Sequence, residues 1–273
     1  MPLPTGPLSR RLLLIAFGAG LLALPSLSDQ AADAATTTTG LDDPEKKDIA
    51  MRLVSSAENS SLAWEEQYDY IEDIGDGRGY TGGVIGFCSG TSDMLALVEL
   101  YTVRVADNPL ADYLPALRAV NGTDSHEGLG SGFTAAWRKA ARTAAFRRAQ
   151  RDERDRVYFD PAVALGEKDG LGTLGQFVYY DALVMHGPGT DSLSFGAIRE
   201  RALNNAGTPA RGGDETAYLH AFLDARVRAM EQEPAHSDTS RVDTAQRVFL
   251  EAGNLDLDLP LRWQVYGDGY AID

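Results

Sequence analysis

Apolar residues fall along this chain in helical stripes, and glycine or proline marks most of the breaks between them. Asp43-Pro44 opens the first stripe, with an acid at the cap and proline at the first helical position. Ile49, Ala50, Leu53, Val54 and Ala57 then share one face. Ala50, Val54 and Glu58 are spaced by four, so Glu58 prolongs the buried side. Ser60 or Ser61 caps a second short helix with Trp64, Tyr68 and Ile71 inward, and five glycines between Asp73 and Gly83 stop it. Tyr80 to Phe87 reads as a short strand or hairpin arm. Thr91-Ser92-Asp93 caps a helix striped by Met94, Leu97, Val98 and Tyr101.

A shorter helix around residues 113–120 and a glycine-rich loop over 121–132 come next. The pattern then predicts one long helix from Phe133 to Asp155, with Arg147 to Arg156 as a solvated, ion-paired face. Residues 171–186 are apolar nearly all round, which places that helix centrally. Asp181 in its middle is therefore odd, because a buried acid needs a partner. Gly187-Pro188-Gly189 breaks the helix; others follow over 194–205, 215–231 and 239–252. The tail from Gly253, with Trp263, Tyr266 and Tyr270, packs against a lobe. The pattern holds no internal repeat and no domain-separating linker. It predicts a mainly helical α+β fold with one small sheet near residues 80–90.

Composition sharpens this picture in three ways. The 273 residues carry a net charge of −15, a field that repels nucleic acids and anionic membranes and attracts polycations. Cys88 is the only cysteine, which excludes an intrachain disulfide, and its apolar setting after Val84-Ile85-Gly86-Phe87 reads as buried and inert. Arg10-Arg11, the apolar run Leu12 to Leu24 and Ala32-Asp33-Ala34 have the order of a signal peptide. We expect residues 1–34 to be that signal, of the twin-arginine type, 35–40 a flexible leader, and 41–273 a single two-lobed domain. No second apolar stretch reaches spanning length, so the expectation is an exported, soluble monomer.

Candidate chemistry centres on Glu58 to Gly83. Seven acids (Glu58, Glu65, Glu66, Asp69, Glu72, Asp73 and Asp76) and no Lys or Arg lie between Glu58 and Gly77. Gly77, Gly79 and Gly82 match G-x-G-x-x-G, but an acidic helix precedes and a strand-like run follows, the reverse of the dinucleotide-binding order. A calcium loop from Asp73 fails, because Gly75, Gly77 and Val84 occupy ligand positions. H-E-x-x-H, G-x-S-x-G and clustered cysteines are absent from the sequence. What remains is a carboxylate pair. A Glu on a buried helix face is desolvated and can hold a proton, while an Asp in an open polar loop stays ionised. That division suits glycoside hydrolysis. Spacing alone leaves open that Glu58 is a paired helix-end acid and Asp76 a turn former.

Six segments carry a resemblance that extends over nearly all of the chain from about Leu41. They are Leu53 to Ser61 (LVSSAENSS), Tyr70 to Gly83 (YIEDIGDGRGYTGG), Arg154 to Val163 (RDRVYFDPAV, with its leading Arg154), Gly212 to Thr216 (GGDET) and Arg241-Val242-Asp243 with Asn254 to Leu257. In these the chain resembles the chitosanases of glycoside hydrolase family 46, relatives of the lysozyme-like fold. The resemblance implies two mostly helical lobes flanking a cleft, no metal or cofactor, and chitosan as the polycationic substrate. It also implies an endo-acting, inverting mechanism, with carboxylates about 6.5–9.5 Å apart or somewhat more.

Residue by residue, Glu58 matches the general acid, Asp76 the general base, and Thr81 the hydroxyl that positions water. Asp181 matches an acid joining Arg226 and Arg241 in a network behind Glu58. Tyr70, Arg78, Asp93, Glu233 and His236 match positions lining the cleft. Ser237 stands where an acid is expected, which weakens one distal charge contact. A muramidase or chitinase, or a non-catalytic protein binding polycationic glycans, are the alternatives.

Overall fold

The structure is a computed structural model in which residues 40–233 and 237–273 are described. The expected signal, the leader up to residue 39, and His236 lie outside them. Helix α1 (Pro44–Glu58) starts as the sequence predicts, with the Asp43 carboxylate accepting from the amides of Glu45 and Lys46. A 3-10 turn (Trp64–Asp69) leads into a three-stranded antiparallel sheet of β1 (Ile71–Asp73), β2 (Tyr80–Gly82) and β3 (Phe87–Cys88). Thr81 sits on the central strand, opposite Glu72 on one side and Cys88 on the other.

Helices α2 (Asp93–Arg104), α3 (Leu114–Val120), α4 (Gly130–Ala141) and α5 (Ala144–Arg154) pack around this sheet. Trp137 is fully buried there and donates from Nε1 to the Tyr68 carbonyl at 3.2 Å. Gln150, on α5, donates to the same carbonyl and accepts from the amide of Val84. The sheet and the 3-10 turn are thereby fastened to two helices at once.

A second lobe contains α6 (Asp160–Asp169), α7 (Thr173–His186), α8 (Phe195–Leu203), α9 (Glu215–Met230) and α10 (Arg247–Glu251). α7 is buried along most of its length, as its all-round apolar pattern requires. An antiparallel hairpin, β4 (Leu261–Val265) and β5 (Asp268–Ile272), closes the chain against this lobe. Among the described residues no helix is long and apolar enough to cross a membrane.

Three expectations need correction. The single helix over residues 133–155 is two helices. Thr143 ends the first and caps the second, its hydroxyl bonding the Ala140 carbonyl and accepting from the Phe146 amide. The Arg147–Arg156 run is only partly solvated, since Glu153 and Arg154 are buried and paired with Arg156 and Asp155. The tail forms a hairpin of its own, so the described residues form two sheets and not one; Leu261, Trp263 and Val265 face inward and Arg262 and Gln264 outward.

Two π-helical turns were also invisible in the apolar pattern. Asp155–Phe159 joins α5 to α6, with the Asp160 amide reaching back to the Asp155 carbonyl. It lets the helical path continue into Pro161, which has no amide to donate. Val242–Gln246 precedes α10. Both turns feed side chains into the site.

Candidate active site

A cleft of about 570 Å³ is lined by residues of both lobes, Asp76, Thr81 and Asp93 from the first and Glu233, Arg241 and Tyr266 from the second. Glu58 also lines it. It is the last residue of α1, where the Asn59 amide closes the final turn on the Ser55 carbonyl. Glu58 continues the Ala50–Val54 row, yet it is not buried: the helix ends there and 26% of its side-chain surface stays exposed. Its partner is Arg241, whose Nη1 lies 2.7 Å from Oε1. The expected apolar surroundings are thus replaced by an ion pair at the edge of solvent.

Behind Glu58 stands a buried charge cluster. Arg241 donates through Nε and Nη2 to the Asp181 carboxylate at 2.8–3.1 Å. Arg226 Nη1 lies 2.6 Å from Asp181 Oδ2, and Gln246 Nε2 donates to that oxygen at 2.6 Å. Burial alone would favour a neutral Asp181. The two guanidiniums outweigh it and hold its carboxyl down at about 2. Arg241 is disfavoured by burial too, but Asp181 and Glu58 raise it above the ordinary range. Arg226, wholly buried, is lowered, because Asp181 offsets only part of the desolvation. The partner that Asp181 needed is therefore present, and it leads to Glu58 through one shared arginine.

Asp76 is positioned by local backbone. Gly75, Gly77 and Gly79 have φ of 73°, 81° and 74°, so left-handed glycines flank it on both sides. Its Oδ1 accepts from the Arg78 amide at 3.0 Å, and Arg78 Nε and Nη2 reach Oδ2 at 2.7 and 2.6 Å. Asp76 is less open than a polar loop suggests, with 9% of its side-chain surface exposed. Thr81 is buried, its hydroxyl 3.4 Å from Cys88 Sγ. Burial pushes the Cys88 thiol up to about 11, in keeping with an inert cysteine.

Asp93 does structural work as well as facing the cleft. Oδ1 accepts from the amides of Cys88 and Met94 and from the Thr91 hydroxyl, which ties β3 to α2. Ser92, at φ 73°, makes no side-chain cap bond, so Asp93 replaces it in that role. Burial raises the Asp93 carboxyl, against those hydrogen bonds. Tyr158 donates to Asp93 Oδ2 at 3.4 Å from the first π turn. Sequence reasoning missed Tyr158, although it lies inside the RDRVYFDPAV segment. Tyr70, Arg78 and Glu233 line the cleft as expected, and burial, then Glu72 and Asp76, raises the Tyr70 phenol. Among the described residues no cluster of His, Cys, Asp or Glu could hold a metal ion.

The family model for glycosyl hydrolase family 46 matches residues 52–261, the span that contains Glu58, Asp76 and Arg241. The chain belongs to that family. A chitosanase of a Streptomyces species is 66% identical over 246 residues, covering 90% of this chain and 88% of its own. A solved chitosanase complex is 64% identical with a TM-score of 0.85, covering 86% of this chain and 100% of the other. A co-crystal structure of chitosanase OU01 with substrate has the same TM-score, 0.85, at 63% identity and the same coverage. The family 46 fold, mainly helical with small antiparallel sheets and lysozyme-like, is the one described above.

Proposed function

We propose that this family 46 hydrolase is an exported endo-chitosanase that cleaves β-1,4 bonds between glucosamine units with inversion. Glu58 protonates the leaving glycosidic oxygen, and Asp76 removes a proton from water held by the Thr81 hydroxyl. The observation that carries this reading is two carboxylates lining one cleft, each fixed by its own guanidinium. Arg241 holds Glu58 by Oε1. Arg78 grips Asp76 through one oxygen and the backbone, a restraint on its rotamer that costs nothing further at the moment of reaction. The Asp181–Arg226 pair in turn fixes Arg241. Tyr70, Arg78, Asp93, Glu233 and His236 contact substrate, and the protein works as a monomer without a cofactor.

Chitosan is the substrate because its ammonium groups complement a chain of net charge −15. Acetylated glycans, the substrates of a muramidase or chitinase, offer no such charge. The names of the relatives support the same choice, and that with substrate bound supports the cleft. The test is Glu58→Gln assayed by reducing ends on chitosan, chitin and peptidoglycan. We expect kcat on chitosan to fall by about 10³-fold or more with KM little changed. Near-normal turnover would remove the acid assignment, and unchanged background hydrolysis with intact binding is what a non-catalytic binding protein would show. Proton NMR of the first product should show the α anomer; an initial β product contradicts inversion.

A further inference from the structure

Tyr266 stands out by its backbone. It occupies the tip of the β4–β5 hairpin, where Val265 pairs with Asp268 and only Tyr266 and Gly267 form the loop. Both have positive φ, 54° and 87°, the signature of a two-residue turn that favours Asn-Gly. A bulky aromatic residue in the left-handed region is an outlier, and such strain persists where the surroundings hold it and function uses it.

Packing gives this tyrosine little in return. Half of its surface is exposed, and among the described residues its side chain makes no hydrogen bond. Yet the turn is bolted down beside the acid. The Tyr266 amide donates to Ser240 Oγ at 2.9 Å, next to Arg241, and Trp263 Nε1 donates to Ser56 Oγ at 3.0 Å, two residues before Glu58. The ring lines the cleft together with Glu58 and Arg241, close enough to feel both charges.

We infer that Tyr266 is a substrate-binding residue whose ring packs against the glucosamine unit next to the linkage that Glu58 protonates. An aromatic face suits a sugar carrying an ammonium group, through apolar contact and cation–π attraction. The inference rests on the chitosanase reading of the site and deepens it.

The test compares Tyr266→Asn, Tyr266→Phe and Glu58→Gln with the parent, using glucosamine hexamer for kinetics and thermal unfolding for stability. Asn suits the turn, so stability and binding should move in opposite directions. Tyr266→Asn should raise Tm by about 2–4 °C and raise KM by about tenfold, with kcat changed by less than about threefold. Tyr266→Phe keeps the ring and should stay within about threefold of the parent KM. A Tyr266→Asn enzyme with parental KM, or with a lowered Tm, overturns the inference by making the tyrosine idle or structural. A Tyr266→Phe enzyme as weak as Tyr266→Asn overturns the ring as the contact. Failure of the catalytic reading is separate: it shows as Glu58→Gln retaining turnover, whatever the Tyr266 variants do.

Discussion

Asp181→Asn should be the most informative stability variant, because the change is nearly isosteric and removes the charge. Arg226 and Arg241 are 0% and 5% exposed by side chain, and Asp181 is 2% exposed. Asp181 is the carboxylate that both guanidiniums share; with Asn at 181 Arg226 and Arg241 lose it together, and buried positive charge is left unmatched. Breaking a buried ion pair in this way costs about 3–5 kcal/mol. The titration gives an independent scale: a carboxyl moved from 3.8 to about 2 corresponds to stabilisation on the order of 2 kcal/mol for the ionised form. The larger figure applies to the substitution, which also loses the Gln246 hydrogen bond to Oδ2. For a domain of this size the loss amounts to a fall in Tm of about 10 °C. Urea unfolding at pH 7, followed by tryptophan fluorescence, measures it directly. The folded-state pKa lies below the unfolded one, so the stabilisation is complete above about pH 4 and drains away as pH falls through 2. The parent should therefore lose its advantage over Asp181→Asn across that interval. A midpoint for Asp181→Asn equal to the parent's at pH 7 would refute the argument, as would a difference that does not shrink on acidification.

Two further variants probe the Asp76 loop. Gly79→Ala places a methyl group 2.3 Å from Ser89 Oγ at φ 74°, so the loop must shift; we expect a loss of about 2 kcal/mol or more in urea unfolding and a lowered kcat in the reducing-end assay. Arg78→Lys keeps the charge but not the fork that reaches Asp76 Oδ2 through two nitrogens. It should lower kcat by about tenfold or more with Tm nearly unchanged, and steady-state kinetics with a thermal melt separates the two effects.

What the sequence shows most clearly is whatever depends on local periodicity. The Asp43-Pro44 start of α1 and the buried run of α7 follow from spacing and backbone chemistry, and the structure contains both, whereas the second helix does not run on to the glycines: its single 3-10 turn ends at Asp69 and Ile71 belongs to β1. Thr143 was passed over because a threonine inside a charged amphipathic run looks like any surface residue until its hydroxyl caps a second helix. The π turns leave no apolar signature at all: each adds one residue to a helical turn, and only the tertiary contacts of Tyr158 and Gln246 explain where it falls. The β4–β5 hairpin was legible after the fact in Leu261-Arg262-Trp263-Gln264-Val265, a strict alternation cut short by Tyr266-Gly267. Asp181 shows the reverse case. Its oddity within an apolar helix was plain from position, whereas the identity of its partners came from family resemblance and not from spacing.

The two halves of the site also differ in how they are encoded. Asp76 is held by Arg78, two residues away, and by glycines on either side, so its geometry is largely a property of one loop. Glu58 is held by Arg241, 183 positions later, which is itself held by Asp181 on α7 and, through it, by Arg226 on α9. Ordering that chain of contacts needs the whole second lobe, since loop-closure entropy over such separations is offset only when the lobe has packed. The acid side of the cleft is therefore the more sensitive to destabilising changes far away, and the base side to changes within its own glycines. Placing Tyr266 on the acid side ties substrate contact to the same long-range assembly: the hairpin that carries it is anchored at Ser56 and Ser240, beside the two residues whose pairing defines the acid.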